Sequence, residues 1–160
     1  MASSILMLIT AALLMKLVHA QETHYVSLVN NCGQGYPVLG GLYGEFYNAS
    51  ETSLFKGPAW GLIAYLQYTD NNGMHLAAFY ARPMVLSLLD RKQRISVDIT
   101  LVPPHEFSVT TGFGYYGGCD GSGLDCTSAD CIEAKHDSSQ GDRQIACTAP
   151  NVNLAITFCD

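Results

Sequence analysis

Six cysteines constrain this chain more than any other feature. They fall at Cys32, Cys119, Cys126, Cys131, Cys147 and Cys159. Three crowd into one Gly-rich stretch, GGCDGSGLDCTSADC, and the others lie toward the two ends. An even number in a chain of one-domain length reads as a disulfide framework wherever the compartment is oxidising. Zinc is the competing reading. There is no CxxC pair, no His stands at ligand spacing from Cys126 and Cys131, and His136 is the nearest imidazole. No metal and no cofactor is therefore expected. Spacing alone does not choose among the possible pairings.

The compartment is legible at the N-terminus. Ile5-Leu6-Met7-Leu8-Ile9 and Ala11-Ala12-Leu13-Leu14-Met15 form a short apolar core, and Val18-His19-Ala20 has the small residues that a signal peptidase reads. Lys16 and His19 interrupt the run, which argues against a membrane anchor, although a basic region ahead of the core is missing. Residues 1–20 are thus expected to be a signal peptide and 21–160 one secreted, extracellular domain, with no membrane contact after cleavage. The chain carries 14 acidic against 8 basic residues, a net charge of −6. Asp120, Asp125, Asp130, Glu133, Asp137 and Asp142 cluster after Cys119. This balance excludes nucleic acid and anionic membrane as partners. The one basic cluster, Arg91-Lys92-Gln93-Arg94, sits between apolar alternations and reads as an exposed hairpin turn.

The periodicity is that of strands. Ile95, Val97, Ile99 and Leu101 face one way, and Ser96, Asp98 and Thr100 the other. Val152, Leu154, Ile156 and Phe158 alternate in the same manner over 151–159. His24–Val29, Leu62–Tyr68 and Met84–Leu89 are further strand candidates, and Ser128–Lys135 has room for one helical turn. Gly and Pro punctuate the chain throughout, notably at Asn72-Gly73, Pro103-Pro104 and Gly117-Gly118. The expectation is an all-β, disulfide-bonded sandwich. Asn48-Ala49-Ser50 is an N-glycosylation acceptor, and its neighbours Glu45, Glu51 and Thr52 suggest a surface loop.

Several phrases resemble the thaumatin-like proteins. HYVSLVNNCG is similar to their opening strand, DITLVP to their D-[IV]-S-L-V-D strand, and GGCDGSGLDC and the ITFC ending to their cysteine-bearing segments. The phrases around Gly57-Pro58 and Ala64–Gln67, PPHEFSVTTGFGYYGGCDG and NVNLAITFC resemble the small fungal members, often labelled glycopeptides. The resemblance implies an antiparallel β-sandwich with the first and last strands adjacent. It also implies the pairs Cys32–Cys159, Cys119–Cys147 and Cys126–Cys131. Full-length members carry a disulfide-rich domain between the positions of Cys131 and Cys147, where this chain has only a short segment. The small members' cysteine pair near Asp70–Met74 is absent as well.

The family's acidic cleft is matched poorly. Asp98 stands at its first Asp, Pro103 replaces the second, Leu86 replaces a Glu, and Arg82 does not align securely with the cleft Arg. Glycoside hydrolysis needs two carboxyl groups flanking one bond. Only Asp98 and, beyond the Pro-Pro corner, Glu106 are candidates; Asp98 reads first as a solvated strand residue or a hydrogen-bond partner for nearby Ser/Thr backbone, and Glu106 as a surface residue. His105 beside the turn reads as exposed. No catalytic residue is therefore assigned. Tyr115 and Tyr116, set among glycines, could present rings to a sugar, with Phe113 and the single Trp60 reading as core. The expected function is a non-catalytic, monomeric binding module for cell-wall polysaccharide such as β-glucan, with Asp98, Tyr115 and Tyr116 as binding candidates. The alternatives are a weak antifungal β-1,3-glucanase using Asp98 and Glu106, and a structural secreted protein without carbohydrate affinity. Mass spectrometry of the secreted protein should find Gln21 as the first residue, free or cyclised to pyroglutamate, and an intact Met1 segment would contradict the leader assignment.

Overall fold

The computed structural model describes residues 22–41, 43–47, 52–57, 59, 61–69, 75–83, 95–140 and 143–159, with side chains omitted at 68–69 and 75–83. The leader, Gln21, Asn48, Trp60, the stretch 70–74, the candidate strand Met84–Leu89 with Leu86, and the cluster 91–94 lie outside the described residues. The described elements are all strands: β1 (Thr23–Asn30), β2 (Tyr36–Gly40), β3 (Phe46–Tyr47), β4 (Ser53–Lys56), β5 (Ile63–Thr69), β6 (His75–Pro83), β7 (Ile95–Thr100), β8 (Thr111–Tyr116), β9 (Gly123–Cys126), β10 (Ile145–Cys147) and β11 (Asn153–Phe158). Residues 128–135 form turns and no helix. Among the described residues, no helix is long and apolar enough to cross a membrane.

Two sheets result. One has the order β4-β1-β11-β8-β9 and the other β10-β7-β6-β5-β2-β3. Alternation supplies the core between them. Val26, Leu154, Ile156, Phe158 and Phe113 come from the first sheet, and Leu39, Ala64, Leu66, Val97 and Ile99 from the second, all buried in one cluster. Burying apolar side chains of this size is worth about 1.5–3 kcal/mol each relative to leaving them exposed.

The first and last strands are neighbours, and they run parallel, from Val26 beside Leu154 to Asn30 beside Phe158. Among the described residues, every other strand pairing is antiparallel. Side chains set the register where this pair begins. Asn151 Oδ1 accepts the Thr23 N–H at 3.0 Å and Asn153 Oδ1 the Tyr25 N–H at 2.9 Å. The buried His24 donates through Nδ1 to the Val152 carbonyl at 2.6 Å. At the other end the Cys32–Cys159 bridge closes the pair, with Cα atoms 5.0 Å apart.

The remaining bridges are Cys119–Cys147, tying the end of β8 to β10 across the two sheets, and Cys126–Cys131, folding the chain back after β9. These are the three pairs that the family resemblance implies. The Cys32–Cys159 bridge spans 127 residues of sequence, and by chain-entropy arguments a loop of this length removes about 4–5 kcal/mol from the unfolded state's advantage. The Cys32→Ser/Cys159→Ser variant should therefore lose stability on that scale in denaturant unfolding, whereas the Cys126→Ser/Cys131→Ser pair, spanning 5 residues, should lose distinctly less on the entropic account.

Candidate functional site

Asp98 lies in the middle of β7, opposite Arg82 of β6 in backbone register. It is 2 % exposed, so the expectation of a solvated strand carboxylate is corrected. The reason is that β7 is an interior strand. β6 takes one edge, and β10 takes the other as far as Val97. Beyond that point the backbone of Lys135 continues the edge: its N–H donates to the Ile99 carbonyl at 2.8 Å and its carbonyl accepts the Leu101 N–H at 2.6 Å. The parallel bridge of Thr100 with Lys135 puts the lysine side chain on the Asp98 face, and its ammonium pairs with Asp98 Oδ2. Oδ1 is buried with no hydrogen-bond partner among the described residues. The Cys126–Cys131 bridge anchors the segment that carries Lys135, and Ala134 beside it is buried in the core.

Asp98 thus lies enclosed in a pair with Lys135, and neither carboxylate oxygen opens onto the surface where a sugar could be protonated. Glu106 is exposed beyond the turn at Pro103-Pro104, whose peptide bond is cis. With Asp98 enclosed, the two carboxylates share no open surface.

The two tyrosines separate. Tyr115 is buried, and its hydroxyl crosses the sandwich from β8 to the opposite sheet. There it donates to the Ile145 carbonyl at 2.8 Å, with the Ile95 carbonyl 3.3 Å away. Burial pushes its pKa well above the ordinary tyrosine value, so the hydroxyl remains protonated where an exposed tyrosine ionises. The expectation of Tyr115 as a stacking ring is corrected: the alternation of β8 turns it inward with Phe113, whose ring it meets edge-on at 6.2 Å.

Tyr116 is 38 % exposed, on the outer face of the five-stranded sheet. It stands opposite Asn153 of β11, and its hydroxyl comes within 3.5 Å of Ser27 Oγ on β1. That is two strands away, about 9–10 Å at ordinary strand spacing. The ring must therefore lie down across β11 instead of standing off the sheet. Tyr25 and Leu54, in register on β1 and β4, are exposed on the same face. Gly114 adds to its flatness. A Cβ there would meet nothing within 4 Å and its backbone requires no glycine, so its absence leaves the sheet floor open beside Tyr116.

Lys135, Tyr25 and Ser27 were not legible as site residues. The alternation His24-Tyr25-Val26 was the available signal for Tyr25, because it turns a tyrosine to the solvent side. Nothing local marks Lys135, whose partner lies 37 positions earlier.

No protein-family model and no curated protein matches the sequence. Among solved structures, the thaumatin-like xylanase inhibitor TLXI superposes with a TM-score of 0.53 over 84 % of this chain and 99 % of its own, at 17 % identity. The fold is thaumatin-like. At that identity the likeness is one of architecture, and the ion pair and the tyrosine face are read from their own geometry.

Removing one partner of a buried pair strands a charge, at a cost of about 3–5 kcal/mol. Lys135→Ala should therefore destabilise the protein on that scale in urea unfolding. Asp98→Asn combined with Lys135→Met should recover most of the loss, and additive losses in that double variant would argue against the pair.

Proposed function

We propose that the chain is a secreted, non-catalytic binding module of the small fungal thaumatin-like type, running from Gln21 to Asp160. Its ligand is cell-wall polysaccharide such as β-glucan, and it acts as a monomer. The observation that carries this reading is the recumbent Tyr116 ring on an open sheet face. Sugar rings expose apolar C–H faces, and a flat aromatic ring attracts them through the negative charge of its π face. Tyr25 and Leu54 extend the apolar surface, and the hydroxyls of Ser27 and Thr52, 3.0 Å apart at its edge, can meet sugar hydroxyls. The enclosure of Asp98 supports the absence of glycosidase chemistry.

A second reading shares the same face. The solved relative is a xylanase inhibitor, which favours a polysaccharide-degrading enzyme as an alternative partner for this surface.

Sedimentation with insoluble β-1,3-glucan and with chitin tests the first reading. The wild type should be retained, and Tyr116→Ala should weaken retention about 5–10-fold, the value of one aromatic contact, with unchanged thermal unfolding. Equal retention of the variant would remove Tyr116 from the site. No retention on either polymer, together with inhibition of a xylanase, would favour the second reading. Sugar release from soluble glucan by purified protein would overturn both.

A further inference from the structure

As an ion pair, Asp98–Lys135 is incomplete. The two side chains are 2 % and 10 % exposed, and the ammonium touches Oδ2 directly. Oδ1 is buried with no hydrogen-bond partner among the described residues. Enclosing two charges costs desolvation on both sides, and attraction offsets it only when the remaining lone pairs and protons are also met. Here one carboxylate oxygen is left over. The glucan-binding face makes no use of this site.

Both partners are fixed by their backbones. Asp98 is an interior residue of β7, with β6 on one edge. Lys135 bonds β7 on the other edge through both its N–H and its carbonyl, and Ala134 before it is fully buried. The Cys126–Cys131 bridge anchors the same segment. An amine and a carboxyl group held together in this way react at a high effective concentration. A proton passed from Nζ to Oδ2 leaves a neutral amine beside a neutral acid, the forms from which an amide is made.

We propose that Lys135 and Asp98 become joined by an intramolecular amide, an isopeptide bond between the two side chains. Nζ attacks Asp98 Cγ, and the Nζ–Cγ bond forms. The Cγ–Oδ2 bond breaks, and two protons of the ammonium leave with Oδ2 as one water. Oδ1 remains as the amide carbonyl oxygen. No oxidant, reductant or second substrate takes part. The product replaces two buried ions by one neutral group. The enclosure that keeps water out also protects the new bond from hydrolysis. The link fastens the segment after β9 to β7 covalently, alongside the Cys126–Cys131 bridge. Unlike that bridge, it survives reduction.

The test is mass spectrometry of the full chain exported to a bacterial periplasm, which oxidises the cysteines without adding glycan. The wild type should be one water lighter than the mature chain with three disulfides, and the deficit should remain after reduction. Peptide mapping of the reduced protein should find the β7 peptide joined to the one carrying Lys135. Trypsin should not cut after Lys135, because an acylated lysine is no longer a cleavage site. Cyclisation of Gln21 removes ammonia instead of water and maps to the N-terminal peptide. Lys135→Arg keeps the charge but has no primary amine, and should show the full mass. It is also the reference for unfolding of the charge-pair variants, since none of them can form the link. Full mass throughout the wild-type population, with Lys135 free in a separate peptide, would overturn the inference, and so would an equal deficit in Lys135→Arg. The peptide map of the wild type decides the matter alone if Lys135→Arg does not fold.

Discussion

The parallel pairing of β1 with β11 is the constraint on which the rest of this structure depends. β4 and β1 reach β8 and β9 only through β11, so without that contact the five-stranded sheet falls into two fragments and the second sheet loses its packing partner. Bringing the chain's ends together carries the loop-closure cost of most of its length, and loop-closure entropy grows only slowly with loop length. The Cys32–Cys159 bridge removes that cost from the unfolded side. The two asparagines and His24 then hold the opposite end of the pair in register. Register matters here because a slip of one residue in β1 would turn Val26 out to solvent and bring Tyr25 in, and a slip in β11 would turn Leu154 and Ile156 out and bring Ala155 in.

Polar groups inside the sandwich act in a similar way. Tyr115 spans the core to reach backbone carbonyls at Ile95 and Ile145, on adjacent strands of the other sheet. The Asp98–Lys135 pair fastens the segment after β9 to β7. Such groups add little net stability over apolar replacements, since desolvation offsets most of the attraction. They do penalise alternative packings, because any shift leaves a donor or a charge without its partner. They also remove Asp98 and Tyr115 from any role at the surface.

What remains for recognition is what faces outward. The five-stranded sheet has one face on the core and one in solvent, and the solvent face carries Tyr25, Tyr116 and Leu54 around small residues. The other sheet ends at the two-residue strand β3, with Phe46 outside. These surfaces differ in kind. The first is a broad, flat face suited to a polymer, and the second is a narrow strand edge that needs protection more than it needs a ligand.

Much of the fold was legible in the sequence, because short-range periodicity and covalent chemistry carry it. The alternations at 95–101 and 151–159 marked β7 and β11, and the resemblance named the disulfide pairs found in the structure. Alternation along β8 puts Phe113 and Tyr115 on one face and Tyr116 on the other. It did not say which face met water. Ser96, Asp98 and Thr100 have the polar pattern of an exposed face, yet all are buried, and Lys135 arrives from another part of the chain to pair with Asp98 and bridge to Thr100. Nor did it reveal that Tyr116 would lie flat, since that depends on Ser27 standing two strands away. Local sequence thus determined which residues share a face. Only the tertiary structure decided what lies against each face, because burial depends on contacts between residues that the sequence keeps far apart.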